Sequence, residues 1–132
     1  MNTAIALRPE QMKAILALSA ETRFEHFVTQ VADRQSAWSL WNDGFATMCD
    51  DHGTRALPLW PAKDYADLLC TGEWASYRPK EIPLEDLLDV LLPSLEAEAN
   101  LTTVFPTPEE RGPLVAPRAL VLALQEALAA YE

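Results

Sequence analysis

Two histidines, two cysteines and 20 carboxylates are the side chains here that could move a proton, hold a metal or attack a carbonyl. Asp50, Asp51 and His52 stand side by side before Gly53. Their types suit a cation, but neighbouring residues in a turn point in different directions. A hard-cation loop also needs further oxygen ligands at defined spacing. A surface turn is expected there, and no metal site. His26 lies beside Glu25 on a stretch of helical periodicity. Cys49 and Cys70 match neither a metal spacing nor a disulfide framework, and in a reducing compartment they are expected as free thiols. A thiol becomes a nucleophile when a base or a helix N-terminus favours the thiolate. Cys70 falls near a helix C-terminus, where the dipole disfavours it. Cys49 alternates with Thr47 and Phe45 and is expected to pack in the core.

Carboxylates fall close together in Glu85-Asp86-Asp89 and Glu109-Glu110. Acid–base chemistry needs two of them converging in a pocket with shifted pKa values, and so acidic a chain produces such pairs by chance. With four glycines there is no phosphate-cradling loop, and no nucleophile-elbow sequence occurs. No catalytic residue and no cofactor is assigned, and the reading leans away from an enzyme.

The aromatic residues are more informative. Trp38, Trp41, Trp60 and Trp74 lie in or beside the region that reads as sheet, with Tyr65 and Tyr77 nearby. Such side chains bury a large area and keep a polar handle, which favours interfaces. Trp41 precedes the turn Asn42-Asp43-Gly44 and Trp74 follows Gly72-Glu73, so these two are expected to reach the surface. The candidate interaction surface is Trp41, Asp43, Trp60, Tyr65, Glu73, Trp74 and Tyr77.

Charge narrows the partners. The chain of 132 residues carries a net charge of −10, from 20 acidic and 10 basic residues. Nucleic-acid affinity comes largely from Lys and Arg neutralising phosphates, whereas here Arg23, Arg34, Arg55, Arg78, Lys80, Arg111 and Arg118 are scattered. Nucleic acid is therefore not an expected partner. Anionic membrane surfaces are disfavoured for the same reason. No apolar run is long enough to span a bilayer, and Met1 to Leu7 lack the basic start of a signal peptide. A cytoplasmic location is expected.

These groups must be held by an α+β fold. The apolar fraction of 49% and the length suit one domain, 1–132, with a short N-terminal helix within 1–18. Ser19 reads as the cap of a second helix running to about Asp33. Its Phe24, Phe27, Val28 and Val31 form an apolar stripe, and Arg23, Glu25, His26 and Gln30 fall on other sides. The period then changes. Ala37–Leu40, Phe45–Cys49 and Arg55–Trp60, separated by two short turns, predict a three-strand antiparallel meander. Pro61 opens a helix with Tyr65, Ala66, Leu68 and Leu69 on its apolar face, ended by Thr71-Gly72. Glu73–Tyr77 reads as a short strand. A leucine-rich helix from Leu84 is broken or kinked at Pro93. Leu101–Phe105 is a β-branched strand, 106–112 a loop and Leu114-Val115 a short strand. The last helix opens at Pro117, with Leu120, Val121, Leu124 and Leu128 buried. The expected architecture is a mostly antiparallel sheet packed against helices. Strict βαβ alternation is absent, which argues against a doubly wound nucleotide-binding fold.

The segment Leu57-Pro58-Leu59-Trp60-Pro61, with Tyr65-Ala66 after it, resembles the bacterial family catalogued as domain of unknown function 2750. Arg23-Phe24-Glu25-His26-Phe27 with Val31-Ala32-Asp33, Gly72-Glu73-Trp74, Ile82-Pro83-Leu84-Glu85 and Val104-Phe105-Pro106-Thr107-Pro108 extend the likeness over a core at 19–132. Leu91-Leu92-Pro93 departs from the aromatic pattern usual after the leucine-rich helix. The resemblance implies a small cytosolic bacterial protein and brings no activity, cofactor or catalytic residue with it.

The function these readings favour is a non-enzymatic, acidic protein-interaction module with a basic protein partner, immunity-like in character. The alternatives are a small-molecule-binding protein or minor enzyme with a pocket near Trp60, Tyr65 and Trp74, and a self-associating homodimer.

Overall fold

The computed structural model describes residues 8–49 and 52–130. The expectations placed on Met1–Leu7 and on the Asp50-Asp51 pair lie outside these residues. Helix α1 (Pro9–Leu16) starts with proline in its first turn and has no fully buried residue; Met12, Ile15 and Leu16 rest on the core from outside. Ser19 caps α2 (Ala20–Arg34), its Oγ accepting from the Thr22 amide at 3.2 Å. Phe27, Val28 and Val31 are buried along one stripe and Phe24 is half-buried. Gln35 ends the helix in the left-handed conformation; its amide donates to the Val31 carbonyl and its side chain to that of Ala32.

The strands depart from the expected meander. Strand β1 (Ser36–Trp41) pairs with β4 (Arg78–Pro83) in a two-stranded antiparallel sheet. Strands β2 (Met48–Cys49), β3 (Arg55–Leu59), β5 (Leu101–Val104) and β6 (Leu114–Val115) form a second sheet in the order β2-β3-β5-β6. That sheet is mixed: β2 and β6 pair antiparallel, but β3 and β5 run parallel. The β2–β3 hairpin forms, while β1 and the Phe45–Cys49 segment meet only at a Trp41–Phe45 bridge.

Pro58 explains why β1 does not join β3. Trp38 and Trp60 exchange both backbone hydrogen bonds, at 2.9 and 2.8 Å. In an antiparallel ladder the next such pair would be Leu40 with Pro58, and proline has no N–H to donate. The Leu40 carbonyl accepts instead from the Ala46 amide at 3.0 Å, and the Pro58 carbonyl from Ser39 Oγ at 2.6 Å. The ladder stops after one pair, and β1 turns to β4 for its remaining bonds.

Strand β4 lies where no strand is expected. Pro79 and Pro83 disguise it, and they are tolerated because β4 pairs on one side only. The expected strand at Glu73–Tyr77 is instead a 3₁₀ turn, Gly72–Trp74, followed by irregular chain. Helix α3 (Lys63–Leu68) packs against both strands of the small sheet. The leucine-rich segment is not broken at Pro93. It passes from α4 (Leu84–Asp86) through a π-helical turn, Leu87–Leu91, into α5 (Leu92–Ala97). The widened turn lies where the N–H missing from Pro93 would have bonded. Helix α6 (Pro117–Ala129) buries Leu120 and Leu124 and packs on α2 and α5.

Two features tie the 105–112 loop to the helices. Phe105 is fully buried yet has φ of 60°, a left-handed conformation that is an outlier for a bulky residue. Its amide donates to the Leu59 carbonyl at 2.8 Å, and the next carbonyl, Pro106, accepts from the Trp60 indole N–H at 2.8 Å. Gly112 is required where the loop returns, because a Cβ there would stand 2.1 Å from the Val104 carbonyl oxygen. Thr107 Oγ1 accepts from the Glu110 amide, and Glu110 in turn forms an ion pair with Arg23. Arg23 is therefore inside the protein, at 2% exposure, and not on an outer side of α2. It also donates to the Leu18 carbonyl, but its Nε has no partner among the described residues.

A buried cation whose partner is removed is costlier than a replaced pair. Glu110→Ala should lower stability by about 1–3 kcal/mol, discounted for the exposed carboxylate, and Arg23→Met should cost less, as read by urea unfolding. An Arg23→Met loss exceeding that of Glu110→Ala would refute this account. Phe105→Ala should cost about 3–5 kcal/mol. Phe105→Gly should be no worse, because a left-handed non-glycine residue carries about 1–2 kcal/mol of strain; a clearly less stable glycine variant would show that no strain is held there.

Candidate functional site

The turn that closes β1 gathers part of the expected surface. Asn42 Nδ2 donates to Ser76 Oγ at 3.1 Å, joining the 42–44 turn to the chain leaving the 3₁₀ turn. Trp41 stands opposite Arg78 in register; Tyr77 precedes Arg78, and Asp43 follows Trp41 by two residues in the turn. Trp41 is 40% exposed. It meets Phe45 edge to face at 4.8 Å between centroids, and Lys80 Nζ lies 5.0 Å from its centroid. Lys80 is two residues along β4 from Arg78, the diagonal position from which a long side chain reaches across a strand pair. Basic side chains therefore stand beside Trp41, on a surface that was expected to include the acids Asp43 and Glu73. Asp43 is exposed in the left-handed conformation, and Glu73 is exposed at the 3₁₀ turn.

The other expected residues separate. Trp60 is fully buried: its backbone bonds to Trp38, its indole to Pro106, and no part of it faces a partner. Trp74 is half-buried and lines a groove with Met48, Cys49, Leu69 and Arg111. Tyr65 lines a different cleft. Cys49 is exposed, contrary to its expected place in the core, because the strand it was assigned to is cut to two residues at a sheet edge. Cys70 sits at the end of α3 with its thiol toward the Ala66 carbonyl, and burial, then Asp67, pushes its pKa up. The surroundings of Cys70 therefore disfavour its thiolate. Among the described residues no three His, Cys, Asp or Glu side chains are grouped to hold a metal, and no helix is long and apolar enough to cross a membrane.

The cleft at Tyr65 is not apparent in a search for catalytic motifs. It has a volume of about 320 Å³ and lies between α1, α2 and the start of α3. His26, Gln30 and Arg34 enter it from one face of α2, at the i, i+4, i+8 spacing that stacks side chains on a helix. Tyr65 enters from α3, and Ile15 of α1 forms part of the wall. His26 and Tyr65 both pack on Phe105, at 6.3 and 4.8 Å between ring centroids. Burial, reinforced by Arg34, holds the His26 imidazole below its ordinary pKa. Burial raises the Tyr65 phenol, with Arg34 opposing and Asp64 adding to the shift. Both groups are thus held neutral beside one guanidinium. The sequence signal for this face is the polar series His26, Gln30, Arg34, which contains no acid.

The His26 shift makes stability depend on pH. Below the unfolded value of about 6.5, the unfolded chain takes up the proton more readily than the folded one. The contribution is whole above that pH and is lost as pH falls toward the folded pKa. His26→Gln should therefore lose less stability than the wild type between about pH 7 and about pH 5, measured by denaturant midpoints at each pH. Parallel curves for the two proteins would remove His26 as the cause.

Comparison with known proteins gives a family and leaves the chemistry open. No curated protein and no solved structure gives a significant match. The model of one family, described as a protein of unknown function (DUF2750), matches residues 24–124, from the apolar stripe of α2 to the buried Leu124 of α6. Over that stretch, which holds the six strands of the described residues and every polar residue of the Tyr65 cleft except Gln11, the chain belongs to the DUF2750 family.

Proposed function

We propose that the protein is a non-enzymatic interaction module of the bacterial cytosol, which seats a protein partner on the Trp41 end of its small sheet. The observation that carries this reading is a tryptophan, Trp41, that is 40% exposed while its ring is already held by Phe45 and Lys80. An aromatic side chain fixed before binding loses little further entropy on binding, and tryptophan and tyrosine are the anchors interfaces most often use. Arg78, opposite Trp41 in register, and the nearby chain positions Asp43 and Tyr77 offer groups able to hydrogen-bond at a rim. The free edge of β4 does not serve as a strand-pairing site, since Pro79 and Pro83 interrupt its donors.

The partner is proposed to be a basic protein. The net charge of −10 gives long-range attraction for such a molecule, while Trp41 sets the contact. Blocking a basic toxin, as an immunity-like protein does, is the form of this function that suits a small acidic chain. Affinity capture from native lysate should enrich a partner on the wild-type chain. Trp41→Ala should weaken that partner by about thirtyfold or more, a loss typical of an interface anchor, with little change in Tm. No partner on the wild type, or equal capture by Trp41→Ala, would remove the reading. Weakening of the same complex by added salt would support the charge argument.

A further inference from the structure

We propose that the cleft between α1, α2 and α3 is a binding site for a small organic monocarboxylate, with Arg34 holding the carboxylate and Tyr65, His26 and Gln30 supplying neutral donors. This site is separate from the Trp41 surface and does not depend on the function proposed for it.

Three observations point to an anion. First, the cleft lining includes Arg34 and no carboxylate, in a chain with twice as many acidic as basic residues. Second, Arg34 makes no ion pair among the described residues. It is not consumed in capping α2 either, because Gln35 already satisfies the Val31 and Ala32 carbonyls. Third, Tyr65 is 3% exposed and its hydroxyl has no protein hydrogen-bond partner among the described residues. The residue as a whole is packed in the core while the hydroxyl is not sealed off with it, so its unused donor opens onto the cleft. The side chains of His26 and Gln30 likewise make no protein hydrogen bond there.

The arrangement also selects the kind of anion. One guanidinium presents a planar fork that matches a carboxylate. The other donors are neutral, since burial keeps His26 and Tyr65 uncharged. A single positive charge balances a monoanion and not the double charge of a phosphate monoester. Asp64, close enough to influence Tyr65, adds to the penalty for a dianion. Apart from Gln11, the remaining walls, Ala14, Ile15, Pro61 and Ala62, are apolar. A volume of about 320 Å³ is at the small end for ligand sites. The ligand is thus a carboxylate on a short hydrocarbon or single-ring body.

The test titrates the isotopically labelled full chain with benzoate, hexanoate, benzamide and inorganic phosphate while backbone amide shifts are followed by NMR. At least one of the two carboxylates should give saturable shifts centred on His26, Gln30, Ala62 and Tyr65. Benzamide, which keeps the ring of benzoate and lacks its charge, and phosphate should bind about tenfold more weakly or not at all. Arg34→Gln, an exposed position whose variant should fold, should weaken the carboxylate about tenfold, and Arg34→Lys less. Tyr65→Phe should weaken it severalfold and is read only if its spectrum is that of the folded chain. The proposal is overturned if neither carboxylate gives saturable shifts at this cleft, if benzamide or phosphate binds as well, or if Arg34→Gln binds like the wild type.

Discussion

The backbone pair between Trp38 and Trp60 is the contact on which the arrangement of this chain depends. It joins two sheets that share no other ladder. Pro58, two residues before Trp60, prevents the pair from growing into one continuous sheet by withholding the next donor. The freed groups are not left empty, because Ser39 and Ala46 take the hydrogen bonds the ladder would have made. An unpaired buried carbonyl would cost about 1–3 kcal/mol, so these substitutes are needed if the division is to be stable. The Trp60 side chain adds a third attachment through Pro106. One residue thereby fixes the small sheet, the large sheet and the loop after β5.

That loop connects the scaffold to the cleft. Phe105 is held left-handed between a bond to Leu59 and the Pro106 carbonyl used by Trp60. In that position its ring supports both His26 and Tyr65 from behind. The Arg23–Glu110 pair fastens the other end of the loop to α2, the helix that carries His26, Gln30 and Arg34. Strained or costly local features survive where the surrounding structure over-determines them. Here both lie on one loop, behind one group of polar side chains.

The helices were largely legible in the sequence, and the sheet pairing was not. Helix signals are local: Ser19 caps, Pro9 and Pro117 start helices, and the Phe27-Val28-Val31 stripe repeats within two turns. Strand pairing is set by partners far along the chain. The turn at Asn42–Gly44 does form, yet it closes one bridge and not a hairpin, and the continuous partner of β1 is β4, on its other edge and about forty residues later. Strand β4 itself was hidden by two prolines, which are admissible only at an edge that sequence cannot reveal. Arg23 escaped notice because the residue that admits its charge to the interior, Glu110, is 87 positions away. Trp41 at the surface was readable from its turn, whereas the burial of Trp60 follows from Trp38 and Pro106. The cleft was invisible as a motif, since its donors come from two helices and are of ordinary types.

The division between core and flank bears on what the cleft is. Its donors, His26, Gln30, Arg34 and Tyr65, all lie inside the stretch that carries the family likeness, as does Phe105 behind them. Helix α1, which supplies Gln11, Ala14 and Ile15 to the opposite wall, precedes that stretch and has no fully buried residue. The polar donors of the cleft therefore sit on the packed core, and its opposite wall is a helix with no fully buried residue. Elements with few buried contacts have the lowest local stability and open first. A ligand that touched both α1 and the α2 donors would tie the helix down, and the side chains it met would already be positioned by the contacts that run from Trp60 through Phe105.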